Sequence, residues 1–367
     1  MLERDLLIIP RPDLRDLVTF IPNKREAIHN WYYYKEGYSR QLVEHFLKKW
    51  DIKRNEIVFD PFCGVGTTVL ACKQNGISCF GTDVSPLAVL VAQVKTWNYD
   101  LEELEQQVKE ALGWKFSPPK SLPKNKFFKR ALSKYALQDI IFYREKLRQV
   151  ENPAIRNFLL LALMDSAFRG SYLRKDGAVV KIKKQSKPPV GKLFKYKIRR
   201  MLRELKKNPL PRTPCSASVG DARFIEAKPN SIDYVITSPP YLNKIEYTQI
   251  YKFEYSLFFN QPESQIPAFI GGKPLTTEEK CEKYFSDMEK VLGELQRICK
   301  PGAKMAIVIG GGCFPDKAVL VDEQLAKIAE DIGLTVENIL VARNSWCTKN
   351  RTEKVGNLRE SAVILKV

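Results

Sequence analysis

Residues 56–90 read EIVFDPFCGVGTTVLACKQNGISCFGTDVSPLAVL, and their order decides the fold. EIVFD (56–60) is a short apolar run that stops at a glycine-rich turn, the pattern of a strand buried in a parallel sheet. TTVLACKQNG predicts a helix closed by Gly76, because glycine accepts the left-handed backbone that ends a helix. ISCFGTD (77–83) predicts a second strand. SPLAVLVAQVKTWN then opens with Ser85 as a cap and Pro86 in the first turn. Strand, helix, strand and helix in succession predict an α/β chain with a doubly wound parallel sheet.

Upstream, residues 1–50 read as a loop followed by a helix, and the loop part TFIPNKREAIHNWYYYKEGYS is aromatic and irregular. Ser39 then caps a helix over SRQLVEHFLKKW. Downstream the alternation stops near residue 100. Residues 101–212 read as mainly helical, with LQDIIFYREKLRQV and AIRNFLLLALMDSAFRG spaced as helices. Alternation resumes with the strands SASVGD and SIDYVITSPPY, the helix SDMEKVLGELQRICKPG, the strand KMAIVIG and the helix QLAKIAEDIGL. TVENILVA and SAVILKV read as a closing antiparallel pair, with Arg343–Arg359 between them as a polar loop able to close over a substrate. This divides the chain into a core of residues 1–100 and 213–367 and an insertion of residues 101–212.

The charge is as uneven as the pattern. The 367 residues hold 60 Lys+Arg and 42 Asp+Glu, a net of +18. Residues 111–212 hold 27 of the basic and only 6 of the acidic side chains, so this segment accounts for the whole excess. KIKKQSKPPVGKLFKYKIRR (181–200) carries nine positive charges and no negative one. Such a run can be a mere solvated loop. Here Phe194 and Tyr196 lie among the charges, a Pro-Pro turn divides it into two arms, and apolar helices flank it. The expectation is nucleic-acid contact through Lys181, Lys183, Lys184, Lys187, Lys192, Lys195, Tyr196, Lys197, Arg199 and Arg200.

Other classes fall away. No run approaches the ~18 uncharged apolar residues of a membrane span. The acids in MLERDLLIIPRPDLRD argue against a secretory signal and for a cytoplasmic protein. The eight cysteines form no C-x-x-C pair and have only two histidines to join them, so no metal site is expected. They read as small buried fillers in a reducing compartment.

The chemistry lies at the strand ends. Gly64 and Gly66 allow a tight turn and close approach to a ligand at the sheet's carboxyl edge. A dinucleotide fingerprint would need a third glycine where Val69 stands. Asp83 closes the second strand, where an acid can accept both ribose hydroxyls. Asp221 closes the next. Carboxylates at three strand ends would repel phosphate, which favours a cationic, phosphate-free nucleoside over a nicotinamide dinucleotide. In Thr237-Ser238-Pro239-Pro240-Tyr241, fixed carbonyls at Ser238 and Pro239 can accept from an exocyclic amine, and Tyr241 can stack on a flipped base.

DPFCGVGTT, TDVSP, VGDAR and TSPPY, in that order, resemble the S-adenosylmethionine-dependent amino-methyltransferases of nucleic acids, and the Ser-Pro-Pro-Tyr form resembles their cytosine-N4 branch. The resemblance spans roughly residues 20–100 and 215–367. It implies a Rossmann-like class I methyltransferase sheet with an antiparallel last strand. It also implies that Asp60, Phe62, Gly64, Gly66 and Thr67 lie on the cofactor's methionine side, Asp83 at the ribose, and Asp221 and Ala222 at the adenine. Ser238, Pro239, Pro240 and Tyr241 would hold the target base. Trp31–Tyr38 sits where the family has a further cofactor-side motif, though the match is loose. Asp221 to Thr237 is too short for a recognition segment, which leaves residues 101–212 for that role. DNA is favoured as the polymer over a structured RNA read by shape.

Three other readings explain less. A cytosine-C5 enzyme needs a nucleophilic cysteine, and Pro214-Cys215 lies at a strand start with no use for the Ser-Pro-Pro-Tyr loop. An oxidoreductase leaves TSPPY and the basic insert without a role. A plain nucleic-acid-binding module leaves the three acids without one. Adenine-N6 transfer is the remaining alternative within the family.

Overall fold

The computed structural model describes residues 6–34, 37–176, 179–243, 247–259, 276–350 and 352–367. Its strands are β1 (Ile8–Pro10), β2 (Ile57–Asp60), β3 (Ser78–Asp83), β4 (Leu173–Asp176), β5 (Val179–Ile182), β6 (Cys215–Val219), β7 (Ile232–Thr237), β8 (Cys299–Gly310), β9 (Gly312–Cys313), β10 (Ala318–Val319), β11 (Thr335–Lys349) and β12 (Glu353–Lys366). Its helices are α1 (Arg40–Lys49), α2 (Thr67–Gln74), α3 (Pro86–Thr96), α4 (Leu101–Gly113), α5 (Lys126–Ala131), α6 (Lys134–Leu147), α7 (Pro153–Arg169), α8 (Val190–Lys207), the short α9 (Tyr247–Ile250) and α10 (Lys252–Glu254), then α11 (Thr277–Ile298) and α12 (Val321–Asp331).

One eight-stranded sheet runs β1-β11-β12-β8-β7-β2-β3-β6. β6, β3, β2, β7 and β8 are mutually parallel, β12 is antiparallel to both β8 and β11, and β1 adds to β11 in parallel. The chain leaves β2 towards β3 and β6, then returns to the other side of β2 as β7. The strand order reverses there, and in open α/β sheets the ligand crevice lies outside the carboxyl ends at such a point. This is the doubly wound, mostly parallel sheet that the alternation predicted, with the antiparallel strand β12 that the resemblance implied.

The local signals explain the element ends. The Ser39 hydroxyl accepts from Leu42 N and that of Ser85 from Ala88 N, the two caps read from the sequence. Each such cap is worth about 1 kcal/mol. Gly76 closes α2 with a φ of 72°. Val58, Phe59, Val235 and Ile236 are buried, as a central parallel pair requires.

The inserted residues supply α4 to α8 and the hairpin β4–β5 to the crossover from α3 to β6. Phe158, Leu161, Ile198 and Met201 share one buried cluster with Val65, Leu70, Leu87 and Val91. Residues 101–212 are therefore packed onto α2 and α3.

Three expectations change. LLIIP, read as loop, contains β1, because three residues can pair with Ile339–Val341 without a periodic signal of their own. Residues 343–349 and 353–359 are not a loop: β11 and β12 stay paired to Lys349 and Glu353. Cys313 and Cys347 are joined as a disulfide, since the turn after β8 brings their Cα atoms to 5.2 Å. Among the described residues, no helix is long and apolar enough to cross a membrane.

Candidate active site

The turn after β2 brings the sequence's first motif to the switch point. Gly66 has a φ of 75°, and a Cβ there would lie 2.7 Å from that of Ala92, so α2 and α3 meet this closely only over glycine. Asp83, at the end of β3, reaches across: its Oδ2 accepts from Gly64 N at 2.9 Å and its Oδ1 from Ser85 N at 2.9 Å. Burial outweighs these two donors and pushes the carboxyl up to about 6. Two backbone donors leave lone pairs free on both oxygens, the geometry that could accept a ribose diol.

Asp60 is turned inward. Its Oδ1 accepts from Thr237 Oγ1 at 2.6 Å and Phe62 N at 3.1 Å, and its Oδ2 from Tyr38 OH at 3.0 Å. It is 1% exposed, and burial raises its pKa. It therefore ties β2, β7 and the N-terminal aromatic stretch together. Tyr38 also hydrogen-bonds Thr68, and the Tyr34 ring lies 3.6 Å from a Gly64 Cβ position. The aromatic stretch thus covers the glycine turn, although Lys35 and Glu36 lie outside the described residues.

Asp221 lies two residues past the end of β6 rather than at its last residue. Arg223 grips it through one guanidinium edge, Nε to Oδ1 at 3.0 Å and Nη2 to Oδ2 at 2.6 Å, and its Nη1 bridges on to Asp287 on α11 at 3.0 Å. The guanidinium holds the Asp221 carboxyl below its ordinary range. Ala222 beside it is buried.

Beyond Thr237, the Pro240 carbonyl accepts from Tyr284 OH at 2.9 Å, which fixes the proline turn from α11. Tyr241 lies against Gly310, where a Cβ would come within 2.6 Å of its ring, and its hydroxyl donates to Glu360 at 2.8 Å. Arg343 is ion-paired with Glu360. Tyr241, Asn243, Arg343, Ser345 and Glu360 line an open cleft of about 280 Å³. Sequence reading missed Glu360 and named Arg343 only as the start of a polar loop; both meet Tyr241 through pairing of β8, β12 and β11. It also missed Tyr255, whose hydroxyl meets Ser85 Oγ at 2.5 Å across 170 positions. Arg223 had a signal, a cation two positions after the third acid.

A family profile described as DNA methylase matches residues 17–94, the aromatic stretch, the glycine turn, Asp83 and α3. The chain is 26% identical to the type II methyltransferase M.BsoBI of Geobacillus stearothermophilus, over 87% of this chain and 81% of that one. It is 24% identical to M.AvaI of a Nostoc strain, over 92% and 85%. It is 25% identical to M.MjaII of Methanocaldococcus jannaschii, over 91% and 79%. The chain is thus similar to the N4/N6 DNA methylases.

That likeness supports a methyltransferase with S-adenosylmethionine as cofactor, and the donor set at the crevice fits that molecule. A carboxylate with free lone pairs closes β3, and a turn too tight for side chains lies beside it. Asp83, Gly64 and Gly66 are the residues that could hold it. Asp60 contributes by anchoring the turn. No three His, Cys, Asp or Glu side chains group as a metal site among the described residues.

The basic run of this chain is spread over three settings. Lys181 is in β5 and pairs with Asp176. Lys183, Lys184 and Lys187 lie in the irregular stretch before α8, the first two of them exposed. Lys192, Tyr196 and Arg199 are exposed on α8, Lys195 is half-buried there, and Arg200 pairs with Glu204. Two expectations fail on helix geometry. Phe194 is fully buried against Tyr143, ring centroids 4.5 Å apart, and cannot stack on a base. Lys197 lies on the same inner face, 4% exposed and ion-paired to Asp165 at 3.0 Å.

Proposed function

We propose that this protein transfers a methyl group from S-adenosylmethionine to the exocyclic N4 amine of a cytosine in DNA. The observation that carries the reading is the Thr237–Asp60 hydrogen bond, which fixes the Ser-Pro-Pro-Tyr loop beside the glycine turn. The type II methyltransferase relatives, matched over most of their length, support DNA as the polymer.

Residues 1–100 and 213–367 form the cofactor and base-holding core, and residues 101–212 the nucleic-acid contact. Bound S-adenosylmethionine supplies an electrophilic methyl group. The protein supplies position. Asp83 holds the ribose hydroxyls, and Asp221 and Ala222 border the adenine. The flipped cytosine stacks on Tyr241, and the carbonyls of Ser238 and Pro239 accept from its amine. Those bonds draw the nitrogen out of conjugation with the ring, so that its lone pair aims at the methyl carbon. The nitrogen–carbon bond would form as the sulfur–methyl bond breaks, with S-adenosylhomocysteine as the leaving group and one amine proton lost to solvent water. Holding the two reactants in line contributes most of the rate.

The test is incubation with radiolabelled S-adenosylmethionine and, separately, unmodified genomic DNA and ribosomal RNA, followed by digestion to nucleosides and mass spectrometry. Label in N4-methyl-deoxycytidine is expected. Label in N6-methyl-deoxyadenosine, or in ribocytidine alone, overturns the reading.

A further inference from the structure

Helix α8 carries two polar side chains on the face it buries. Lys197 donates to the Trp31 carbonyl at 2.5 Å and is held by Asp165 of α7. Two turns on, the Glu204 Oε2 atom accepts both from Ile28 N at 3.0 Å and from Trp31 Nε1 at 2.8 Å, while Arg200 occupies its Oε1 at 2.8 Å. Both grips close on Ile28–Trp31.

This segment needs holding. Ile28 is fully buried with a φ of 66°, a backbone state that a β-branched residue keeps only when its surroundings enforce it. The same run continues to Tyr34 over Gly64 and to Tyr38 on Asp60. On the far side of the turn, the buried Lys95 of α3 donates to the Val65 carbonyl at 3.1 Å. The glycine turn is thus held between α3 and a segment that α8 clamps. The outer face of that same helix exposes Lys192, Arg199 and Arg203.

We propose that Glu204 and Lys197 are positioning residues for the cofactor crevice, and that α8 links nucleic-acid contact on its outer face to cofactor binding through its inner one. The proposal rests on the function given above. Nucleic acid that draws the basic face of α8 shifts the clamp, because both faces belong to one rigid helix. Linkage requires the effect to be reciprocal: cofactor in the crevice must tighten or weaken nucleic-acid binding by the same factor.

The test is calorimetric titration of S-adenosylhomocysteine with and without duplex DNA, on the full chain and on Glu204→Leu and Glu204→Gln. In the wild type the duplex is expected to change the Kd by at least about 5-fold. Glu204→Leu raises the Kd about 10-fold and removes the duplex effect, while Glu204→Gln restores both, because one amide oxygen can accept from Ile28 and Trp31 together. Hydrogen exchange over residues 24–34 accelerates in the leucine variant and stays slow in β2 and β7. Should that variant not fold, Lys197→Met is read in the same way. A wild-type Kd and slow exchange in the variants, or no duplex effect in the wild type, overturn the proposal. A wild type that binds no S-adenosylhomocysteine overturns the proposed function with it.

Discussion

The Thr237 hydroxyl donates to Asp60 Oδ1 at 2.6 Å, joining the last residue of β7 to the last residue of β2. The two strands flank the switch point, so one buried bond sets the spacing between the cofactor turn and the proline loop. Thr237→Val removes the donor and keeps the shape. Leaving the buried carboxyl short of a partner costs about 1–3 kcal/mol, read as a lower urea midpoint. Methyl transfer is expected to fall by more than the stability loss explains, with cofactor affinity nearly kept. A variant as active as wild type removes Thr237 from the spacing role.

Asp83 makes cofactor binding depend on pH. Its folded pKa of about 6 is raised by burial above the ordinary carboxylate value. In the cofactor-free protein its contribution to stability is therefore greatest at low pH and is lost as the pH rises through about 6. Binding has the opposite sign, because a ribose diol donates to the ionised form. Affinity for S-adenosylhomocysteine is expected to weaken below pH 6. Asp83→Asn should bind poorly at every pH and lose that slope. Equal affinity of wild type and variant across pH 5 to 8 removes Asp83 from the ribose.

What the sequence revealed followed from contiguity. Asp60 to Thr68, Asp83 to Pro86 and Thr237 to Tyr241 each carry their chemistry within a few positions, and the alternation around them places all three at one sheet edge. Glu360 and Arg343 carry no such mark, because they meet Tyr241 through a three-strand register. Glu204 clamps a segment 176 positions upstream, a contact no local pattern encodes. Lys197 could have been read: Val190, Phe194, Lys197, Ile198, Met201 and Leu205 recur at helical spacing and are all buried. Counting charges hid what periodicity would have separated.

Tyr241 offers a separation of ring from hydroxyl. Its hydroxyl meets Glu360, which also pairs with Arg343, so Tyr241→Phe keeps the ring against Gly310 and leaves Glu360 a partner. Tyr241→Phe is expected to retain methyl transfer within about 10-fold, the cost of one hydrogen bond. Tyr241→Ala should abolish it. Both should bind S-adenosylhomocysteine like the wild type. Full activity in the alanine variant rules out base stacking.

The division of the basic run by exposure makes its own test. Lys183, Lys184 and Lys192 are exposed and Lys187 is half-buried, whereas Lys197 is enclosed by Asp165 and the Trp31 carbonyl. Each phosphate contact adds about −0.9 to the slope of log K against log salt on duplex DNA. Replacing Lys183, Lys184, Lys187 and Lys192 by Gln should flatten that slope by as much as about 3–4, with unfolding unchanged. Lys197→Gln should do the reverse: the salt slope stays, and stability drops because Asp165 loses its buried partner and keeps only the exposed Arg169. Filter binding over a salt series, with urea melts of both variants, separates the two cases. A flattened slope in Lys197→Gln would mean that α8 turns its inner face outward when nucleic acid binds.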